Sequence, residues 1–556
     1  MARILSLTLQ NDGDAKLVMV LKKNRNWKHL HLLILLSTIL IGAFLRLYRL
    51  ERLMWWWQSG DHGRDLLVAK HIADYGEIIF SGPSSFGGIG LLKNSVFYYY
   101  FLSFFWSLAH SAKGVVFFFS LLNIATIFIV YVITAKLRNQ KAGLIAALLM
   151  SLSYRAIVFS RSVYQPFLLP LFISLYLASL LYSLKEKSFF SLTISTVLIF
   201  LSLQFHYSTL LFLPAFAFWT IYGLKVINDK SKKFILKFVF FIFLCFFLVL
   251  SWLFFSYHSL NVIKVLKKII LFLELSTQGN KNLIDFLLNS VGHLSIYFSD
   301  LFNFPFLRDH WRFSPFVIFI LGGLVYSLIK NLSKKKNPFP IIFLCSFLSG
   351  ILLSGLYTSE VLSFYFIPFL PVIFITLGYL FESLFPKKQI LKLTMIVIFI
   401  IALSFHNARF FGDNSPNEFI HARLTSEAIL KDYKKSASTY ENPINKYAFD
   451  IYVAVPYDEG NWNSPMFWYF LEKEAKEPLI AIYEEGNNIK PLNNHPRYLY
   501  FICKSYLLFE QNIKKECLEK FLSSQGDWSL ESKKPIFDGT ITAEEIDAVV
   551  YKLERI

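Results

Sequence analysis

The chain has 556 residues, of which 55% are hydrophobic and 18% aromatic, and its mean hydropathy is +0.47. Water-soluble domains have a lower apolar content, so this composition excludes a purely soluble protein. The net charge of +18 would suit nucleic-acid binding, but the cations lie in short loops between apolar runs, where the positive-inside rule places them. We therefore expect a membrane environment and no nucleic-acid partner.

Apolar runs recur from Leu32 to Phe405, and each is long enough to cross a bilayer. Basic segments separate them, and placing these segments in the cytoplasm predicts eleven spans. The basic segments are 136–141, 185–187, 225–237, 330–336 and 387–392. The predicted spans are 32–50, 115–135, 142–159, 166–184, 189–206, 208–224, 238–256, 314–330, 339–356, 364–383 and 390–406.

One further apolar run, SVFYYYFLSFFWSLAH at residues 95–110, does not fit this alternation. If it crossed the membrane, every later basic loop would face outward. The run is rich in Tyr, Phe and Trp, which favour the membrane interface. We interpret it as a juxtamembrane or re-entrant helix on the outer side, whereas a tilted span here would raise the count to twelve or thirteen.

The charge changes sign along the chain. Residues 1–407 hold 38 Lys and Arg against 15 Asp and Glu, whereas residues 408–556 hold 18 against 23. We predict a cytoplasmic segment at 1–31, a transmembrane domain at 32–407 whose first outer loop is 51–113, and an outer α/β domain beyond it. The fold class is thus a mainly α, multi-pass membrane protein with a C-terminal extracytoplasmic domain.

The outer domain alternates short strand-like and helix-like patterns. The predicted strands are 447–457, 478–484, 497–504 and 546–553, and the predicted helices are 417–435, 464–475 and 508–524. No nucleophile elbow, phosphate-binding loop or dinucleotide fingerprint occurs in it. It either caps the outer cavity and helps to select an acceptor, or serves as a stabilising appendage.

The predicted topology brings charged residues and histidines from several segments to the outer face. They are Asp61, Arg64, Asp65, Lys93, Arg161, His206, Asp309, His310 and Glu360. Such residues at the ends of apolar helices are costly unless they meet water, a partner or a ligand. Structural alternatives stay open: an Asp61–Arg64 salt bridge, a snorkelling Lys93, an Arg161 that caps a helix end and a packed, hydrogen-bonded His206.

The predicted outer segments, taken in chain order, resemble those of a known enzyme family. They read SGDHGRDLLVAKHIADYGEIIFSGP, SSFGGIGLLKNS, VFYYYFL, FSRSVYQPFLLPLF, LQFHYSTLLFLPAF and SEVLSFYFIPFLPVIFITLGYLF. Over about residues 30–405 the chain resembles the GT-C superfamily of polyprenyl-phosphate-dependent membrane glycosyltransferases. Within it, the chain is most similar to the bacterial protein mannosyltransferase-like and lipid A aminoarabinose transferase-like branch. It departs from that branch at His62, where aminoarabinose transferases have Glu.

The resemblance implies an inverting transfer of a single sugar from a polyprenyl-phosphate carrier to a glycan, lipid or protein. Asp61 holds the place of the catalytic acid–base residue, with Asp65 as the alternative acid. Arg64 and Lys93 match residues near the carrier phosphate. A carboxylate can take the proton of an attacking hydroxyl, and cations stabilise the departing phosphate.

Five other positions are weaker candidates. Arg161 and His206 are further candidates for donor phosphate binding, while Asp309, His310 and Glu360 are candidates for the acceptor pocket. The sequence establishes no cofactor. A divalent metal ion is an open alternative for the acceptor-pocket residues, although their spacing is not a metal signature. The expected location is a bacterial inner membrane with a periplasmic C-terminal domain. A lipid-linked oligosaccharide flippase and an O-antigen-type ligase are the alternative functions.

Overall fold

The structure is a computed structural model of the whole chain. It describes residues 17–50, 59–80, 82, 94–227, 232–257, 267, 283–302, 315–332, 339–355, 363–385, 388–408, 418–437, 449–454, 468, 471–472, 480–482, 489–491, 498–505, 528–530, 537–539 and 547–555.

Helices dominate the membrane part. They are α1 Leu17–Leu47, α2 Ser59–Tyr75, α3 Phe97–Ala109, α4 Ala112–Leu137, α5 Gln140–Leu152, α6 Tyr154–Ser160, α7 Leu169–Glu186, α8 Phe189–Phe205, α9 Leu213–Ile227, α10 Lys232–Tyr257, α11 Leu283–Phe302, α12 Pro315–Leu332, α13 Phe339–Gly355, α14 Leu370–Leu384 and α15 Gln389–Ser404. Short 3₁₀ turns occupy Gln165–Leu168, Tyr207–Phe212, Ser363–Phe369 and Phe405–Ala408.

Every one of the eleven predicted spans coincides with helical structure. Among the residues that the structure describes, five segments are long and apolar enough to cross a bilayer: His29–Leu47, Ala112–Leu137, Gln165–Glu186, Tyr207–Ile227 and Tyr365–Leu384. Helices α5 and α6 pass the same test together but are bent by 64° where they meet. The protein is thus a mainly helical, multi-pass membrane protein, as the sequence predicts, and the count of eleven spans stays a prediction.

Helix α3 lies within the apolar run that did not fit the alternation. It has 13 residues, or about 20 Å of helix, against about 30 Å of bilayer hydrocarbon. Tyr98, Tyr99, Leu102 and Trp106 are buried on one of its faces, in the same apolar cluster as α2. This geometry favours the short juxtamembrane helix over a tilted span.

Helix α14 lies at the centre of the bundle. It is apolar on every face, and 89% of its span is buried, as expected for a helix surrounded by other helices. Gly378 allows the close approach of α5, because a Cβ atom there would lie 2.4 Å from the carbonyl oxygen of Ala142. Small residues at such crossings let two backbones pack together.

The C-terminal end of α1 is tied to the end of α5 by a buried arginine. Arg46 is fully buried and donates from Nη1 to the carbonyl oxygens of Gly42 and Ser151, at 3.0 and 3.2 Å. Its Nη2 donates to Met150 at 3.2 Å. Met150 and Ser151 lie in the last turn of α5, where carbonyls lack intrahelical partners and favour a cation. The guanidinium therefore caps α5 and ties its end to α1 near Gly42.

The C-terminal part contains helix α16, Glu418–Ala437, and seven strands. The strands are β1 Phe449–Ala454, β2 Ile480–Ile482, β3 Ile489–Pro491, β4 Tyr498–Ser505, β5 Trp528–Leu530, β6 Phe537–Gly539 and β7 Asp547–Arg555. The larger sheet has the order β1-β4-β7-β5, and β6 also pairs with β7. Strand β4 runs parallel to β1 and antiparallel to β7, while β2 and β3 form a separate antiparallel pair.

The predicted α/β character of this part is confirmed. Strands β1, β2, β4 and β7 coincide with the four predicted strands, and α16 coincides with the predicted helix at 417–435. Strands β3, β5 and β6 have three residues each and were not predicted. The predicted helix at 508–524 lies outside the described residues.

Candidate active site

Helix α2, which follows the first apolar span in the chain, packs directly against α3. Leu66, Leu67, Val68 and Ala69 have no exposed surface, so the middle of α2 is buried on all sides. Its C-terminal half is pinned by Trp106, whose Nε1 donates to Oδ1 of Asp74 at 3.0 Å. An apolar core thus holds α2, and its first turns carry the candidate catalytic residues.

Arg64 lies between two carboxylates on α2. Its Nη1 is 2.7 Å from Oδ1 of Asp61, one helical turn earlier. Its Nε and Nη2 both donate to Oδ1 of Asp65, at 3.0 and 2.8 Å. The structure therefore brings together three of the residues that the sequence singled out.

The two carboxylates differ in their access to solvent. The side chain of Asp61 is 31% exposed, that of Arg64 is 12% exposed and that of Asp65 is fully buried. Asp61 also lies in the first turn of α2, where the positive end of the helix dipole favours a negative charge. Only Asp61 of this pair presents its carboxylate to an incoming molecule.

The charges of this cluster depend on one another. Burial raises the pKa of Asp65 from its ordinary value to about 6, and the neighbouring Arg64 opposes that rise. Burial lowers the pKa of Arg64, but the carboxylates of Asp65 and Asp61 more than compensate and raise it above its usual value. Arg64 therefore stays charged, and Asp65 is ionised at neutral pH.

Two side-chain amides, those of Gln165 and Asn94, support Asp65 through consecutive hydrogen bonds. Nε2 of Gln165 donates to Oδ2 of Asp65 at 3.2 Å, and Nδ2 of Asn94 donates to Oε1 of Gln165 at 2.9 Å. Oδ1 of Asn94 accepts from the backbone N–H of Tyr207 at 3.3 Å. Sequence reasoning missed Gln165 and Asn94 because uncharged amides at the ends of apolar segments carry no spacing signature.

His62, the residue at which the family resemblance departs, is buried beside the cluster. Its Nδ1 lies 2.9 Å from Oγ of Ser162, and its ring packs 5.6 Å from the ring of Tyr164. Burial, together with the charge of Arg64, lowers the pKa of His62 to about 3. The imidazole is therefore neutral and adds no charge to the site.

Arg161 is fully buried directly after the last residue of α6. Its Nη1 donates to the carbonyl oxygen of Leu45 at 2.8 Å, and its Nη2 donates to those of Tyr48 and Arg49 at 2.7 and 2.9 Å. These carbonyls lie at the end of α1, so Arg161 caps a helix, which is the structural alternative stated from the sequence. This geometry disfavours contact between Arg161 and a phosphate.

His206 is buried between two helical segments. Its Nδ1 lies 2.9 Å from Oγ of Ser208 and accepts from the N–H of that residue at 3.2 Å. Its ring stacks on Tyr207 and Tyr365, with centroids 4.3 and 5.8 Å away. The arrangement favours a packed, hydrogen-bonded histidine, and phosphate binding by His206 stays a prediction.

The other sequence candidates lie outside the described residues: Lys93, Asp309, His310 and Glu360. Within the described part of the chain, no group of three or more His, Cys, Asp or Glu side chains is arranged to hold a metal ion. The divalent ion therefore stays an open prediction.

Comparison with known proteins finds relatives among solved structures. No protein-family model matches the chain, and no curated protein sequence matches it. The chain is similar to ArnT from Cupriavidus metallidurans bound to undecaprenyl phosphate, with a TM-score of 0.48 and 11% identity over 94% of this chain and 98% of that one.

A second similar structure is the archaeal oligosaccharyltransferase AglB from Archaeoglobus fulgidus, in complex with an inhibitory peptide and a dolichol-phosphate. Its TM-score is 0.44, with 14% identity over 79% of this chain and 64% of that chain. The apo form of the Archaeoglobus enzyme gives a TM-score of 0.46 at 13% identity. The present chain thus spans about 64% of the length of the archaeal enzyme.

Proposed function

We propose that this protein is an inverting membrane glycosyltransferase that moves a single sugar from a polyprenyl-phosphate carrier to an acceptor at the outer face of the membrane. The observation that supports the proposal most directly is the cluster of Asp61, Arg64 and Asp65 at the start of α2. This helix follows the first apolar span, so the cluster lies where the phosphate of a lipid carrier is within reach. A carrier of this kind is too apolar to leave the bilayer.

Asp61 is the proposed general base. Its carboxylate is partly exposed, whereas that of Asp65 is fully buried. A pKa of about 6 would suit Asp65 to base catalysis near neutral pH. Access decides between the two acids in spite of this pKa, because a base must lie within hydrogen-bond distance of the hydroxyl that it deprotonates. Asp65 therefore orients Arg64, and Asp61 receives the proton.

Arg64 is the proposed ligand of the carrier phosphate. Its contacts with Asp61 and Asp65 involve Nε, Nη1 and Nη2, and each terminal nitrogen carries a second N–H that can meet a phosphate oxygen. One cation between two carboxylates leaves a net charge of −1, so an anionic phosphate needs a further cation. We assign that role to Lys93, in the same outer loop.

The proposed reaction is a single displacement. The acceptor hydroxyl transfers its proton to Asp61 while its oxygen forms a bond to the anomeric carbon. The bond between that carbon and the phosphate oxygen breaks, and the polyprenyl phosphate leaves with the electron pair. Attack from the face opposite the leaving group inverts the anomeric centre, and Arg64 stabilises the negative charge that develops on the phosphate.

The remaining assignments complete the proposal. The acceptor is a glycan, a lipid or a protein, and Asp309, His310 and Glu360 are proposed to line its pocket, with or without a divalent ion. The site and the C-terminal domain face the periplasm of a bacterial cell whose inner membrane holds the bundle. The basic segments between spans support this orientation.

The experiment that tests the proposal is direct. The purified protein is incubated with polyprenyl-phosphate monosaccharides that carry different sugars, and the loss of sugar from the lipid is followed by thin-layer chromatography. We expect the wild type to consume at least one donor, Asp61→Asn to consume none at a comparable rate, and Glu427→Gln, a matched change at an exposed carboxylate of α16, to behave as the wild type. Binding of the lipids without consumption of any donor would contradict the proposal.

A further inference from the structure

A second buried cluster joins α2 to the C-terminal domain. Nζ of Lys70 lies 2.8 Å from Oε2 of Glu472, and Nε2 of His71 lies 2.9 Å from Oε1 of the same carboxylate. The exposed fractions of these side chains are 6%, 0% and 0%. Glu472 lies 402 positions after Lys70 in the chain. Both oxygens of its carboxylate therefore bind a helix that is distant in sequence.

Two further residues complete this cluster. The hydroxyl of Tyr75 lies 2.7 Å from Nζ of Lys70, and Oε1 of Glu77 lies 2.9 Å from Nδ1 of His71. Although burial lowers the pKa of His71, hydrogen bonds and charge from Glu472 and Glu77 raise it above its usual value. The cluster therefore sets Lys70 and the protonated form of His71 against the carboxylates of Glu472 and Glu77.

Apolar contacts surround the ion pairs. Trp468 and Leu471, just before Glu472, are 3% and 0% exposed. They belong to the same packed cluster as Leu67 of α2, together with Leu430 and Tyr433 of α16. A buried carboxylate inside such packing is costly unless it is paired, so the position of Glu472 is tied to its contacts with α2.

The two clusters lie on one short helix. Asp61, Arg64 and Asp65 occupy the first turns of α2, and Lys70 and His71 lie in its second half. The rise from Asp65 to Lys70 is about 7.5 Å. A helix of 17 residues moves as one rigid unit. Contacts that fix its second half therefore also fix the orientation of its first turns.

We propose that Glu472 is a positioning residue: it holds α2 from the C-terminal domain and thereby sets the geometry of Asp61 and Arg64. The inference rests on the proposed function, because it assigns the domain a part in that same site. The C-terminal domain therefore helps to position the site and is not merely a stabilising appendage. A misplacement of about 1 Å costs a catalytic site about 10²-fold in rate. The contact of Glu472 with Lys70 and His71, called the clamp below, therefore affects the rate although Glu472 does not touch substrate.

The first test measures α2 itself. Hydrogen exchange of the full-length protein in lipid nanodiscs is compared for the wild type, Glu472→Gln and Glu427→Gln. Glu427 is a matched control on α16, with a side chain that is 47% exposed. We expect Glu472→Gln to raise amide exchange in α2 at least tenfold, with α7 and α8 unchanged, and Glu427→Gln to match the wild type. Unchanged exchange in α2 of Glu472→Gln would overturn the clamp.

The second test separates positioning from folding. With the donor lipid varied, Glu472→Gln is expected to lower kcat about 10- to 100-fold while KM for the donor stays within about threefold. Glu472→Asp keeps the charge and should recover part of kcat. A proportional loss of folded protein with unchanged kcat per folded molecule would show a purely structural role and overturn the proposal. A wild type that transfers no sugar, with the exchange result as expected, would refute the proposed function and leave the clamp on α2 standing.

Discussion

Arg64 and Asp65 are consecutive residues, and two nitrogens of the Arg64 guanidinium, Nε and Nη2, donate to the same oxygen of Asp65. This double contact fixes the plane of the guanidinium, and the third nitrogen then points to Asp61 at 2.7 Å. Gln165 holds the other oxygen of Asp65. The buried carboxylate thus orients the cation, and the cation in turn orients the exposed carboxylate.

The first prediction follows from this division of roles. Asp61→Asn keeps the shape of the side chain and removes the proton acceptor, so sugar transfer should fall about 10²–10⁴-fold. Donor binding should persist, because Arg64 keeps its contact with Asp65. Asp65→Asn should cost much less in kcat. Near-normal transfer by Asp61→Asn together with an inactive Asp65→Asn would show that Asp65 is the base.

The second prediction concerns the phosphate. Arg64→Ala should weaken binding of a polyprenyl-phosphate sugar and slow its transfer, and Arg64→Lys should recover only part of the affinity because a lysine lacks the two-pronged donor geometry. Binding is measured by microscale thermophoresis in detergent. Arg423→Ala, which removes an exposed arginine of α16, is the control and should bind as the wild type does. Equal affinities in all four proteins would place the phosphate site elsewhere.

The third prediction concerns pH. The pKa of His71 is raised above its ordinary 6.5, so its contribution to stability is complete below pH 6.5 and is lost as pH rises through its folded pKa. Burial opposes ionisation of Glu472, but His71 and Lys70 lower its pKa below 4.5. Its contribution is therefore complete above pH 4.5 and is lost at more acidic pH.

The groups that face His71 are Lys70, Tyr75, Glu77 and Glu472. The difference in Tm between the wild type and Glu472→Gln should therefore be largest between about pH 4.5 and 6.5 and should shrink on either side. Thermal unfolding scans across this range measure it. A difference that stays constant with pH would contradict the assignment of the charges.

The fourth prediction tests the topology. In a variant without its native cysteines, Lys185→Cys lies at the end of α7 on the predicted cytoplasmic side, and Lys434→Cys lies on α16 on the predicted outer side. Both side chains are exposed. A membrane-impermeant maleimide applied to intact cells should label Cys at position 434 and leave position 185 unlabelled until the cells are opened. The reverse pattern would place the proposed site in the cytoplasm.

The fifth prediction concerns packing of the bundle. A Cβ atom at Gly378 would lie 2.4 Å from a backbone oxygen of α5, whereas one at Gly322 of α12 would meet nothing within 4 Å. Gly378→Ala should therefore destabilise the protein by about 1–3 kcal/mol through overpacking, and Gly322→Ala should be neutral or slightly stabilising. Thermal unfolding in detergent compares the two. Similar Tm values would argue against the close crossing of α14 and α5.

The helical bundle could be predicted because the sequence features that indicate each span lie within or next to that span. Apolar length and the placement of Lys and Arg act on each segment separately, so every predicted span coincides with a helix. The three strands that were missed, β3, β5 and β6, are three residues long, too short to show alternation. Their pairing partners, not their own sequences, determine that they are strands. Strand β2 is equally short but lies within the apolar segment 478–484, which predicted it.

The site was predictable only in part, for a similar reason. Asp61, Arg64 and Asp65 share one helical face, so their spacing at i, i+3 and i+4 indicates contact. Gln165 and Glu472 reach the same helix from far along the chain, and no periodicity in the sequence reports such pairs. The capping role of Arg161 likewise depends on how α1 and α6 pack, which spacing does not reveal.

The two buried arginines have a consequence for how the protein responds to its lipids. Arg46 and Arg161 fasten the end of α1 to α5 and α6, so the chain leaves the hydrocarbon at a point set by the protein and not by the local bilayer thickness. Hydrophobic mismatch then has to be met by the lipids around the bundle or by tilt of the bundle as a whole. Lengthening the acyl chains of a reconstituted membrane would thus shift the lipid phosphates relative to Arg64. Under the proposed function, acyl-chain length is therefore expected to tune turnover without any change in the protein.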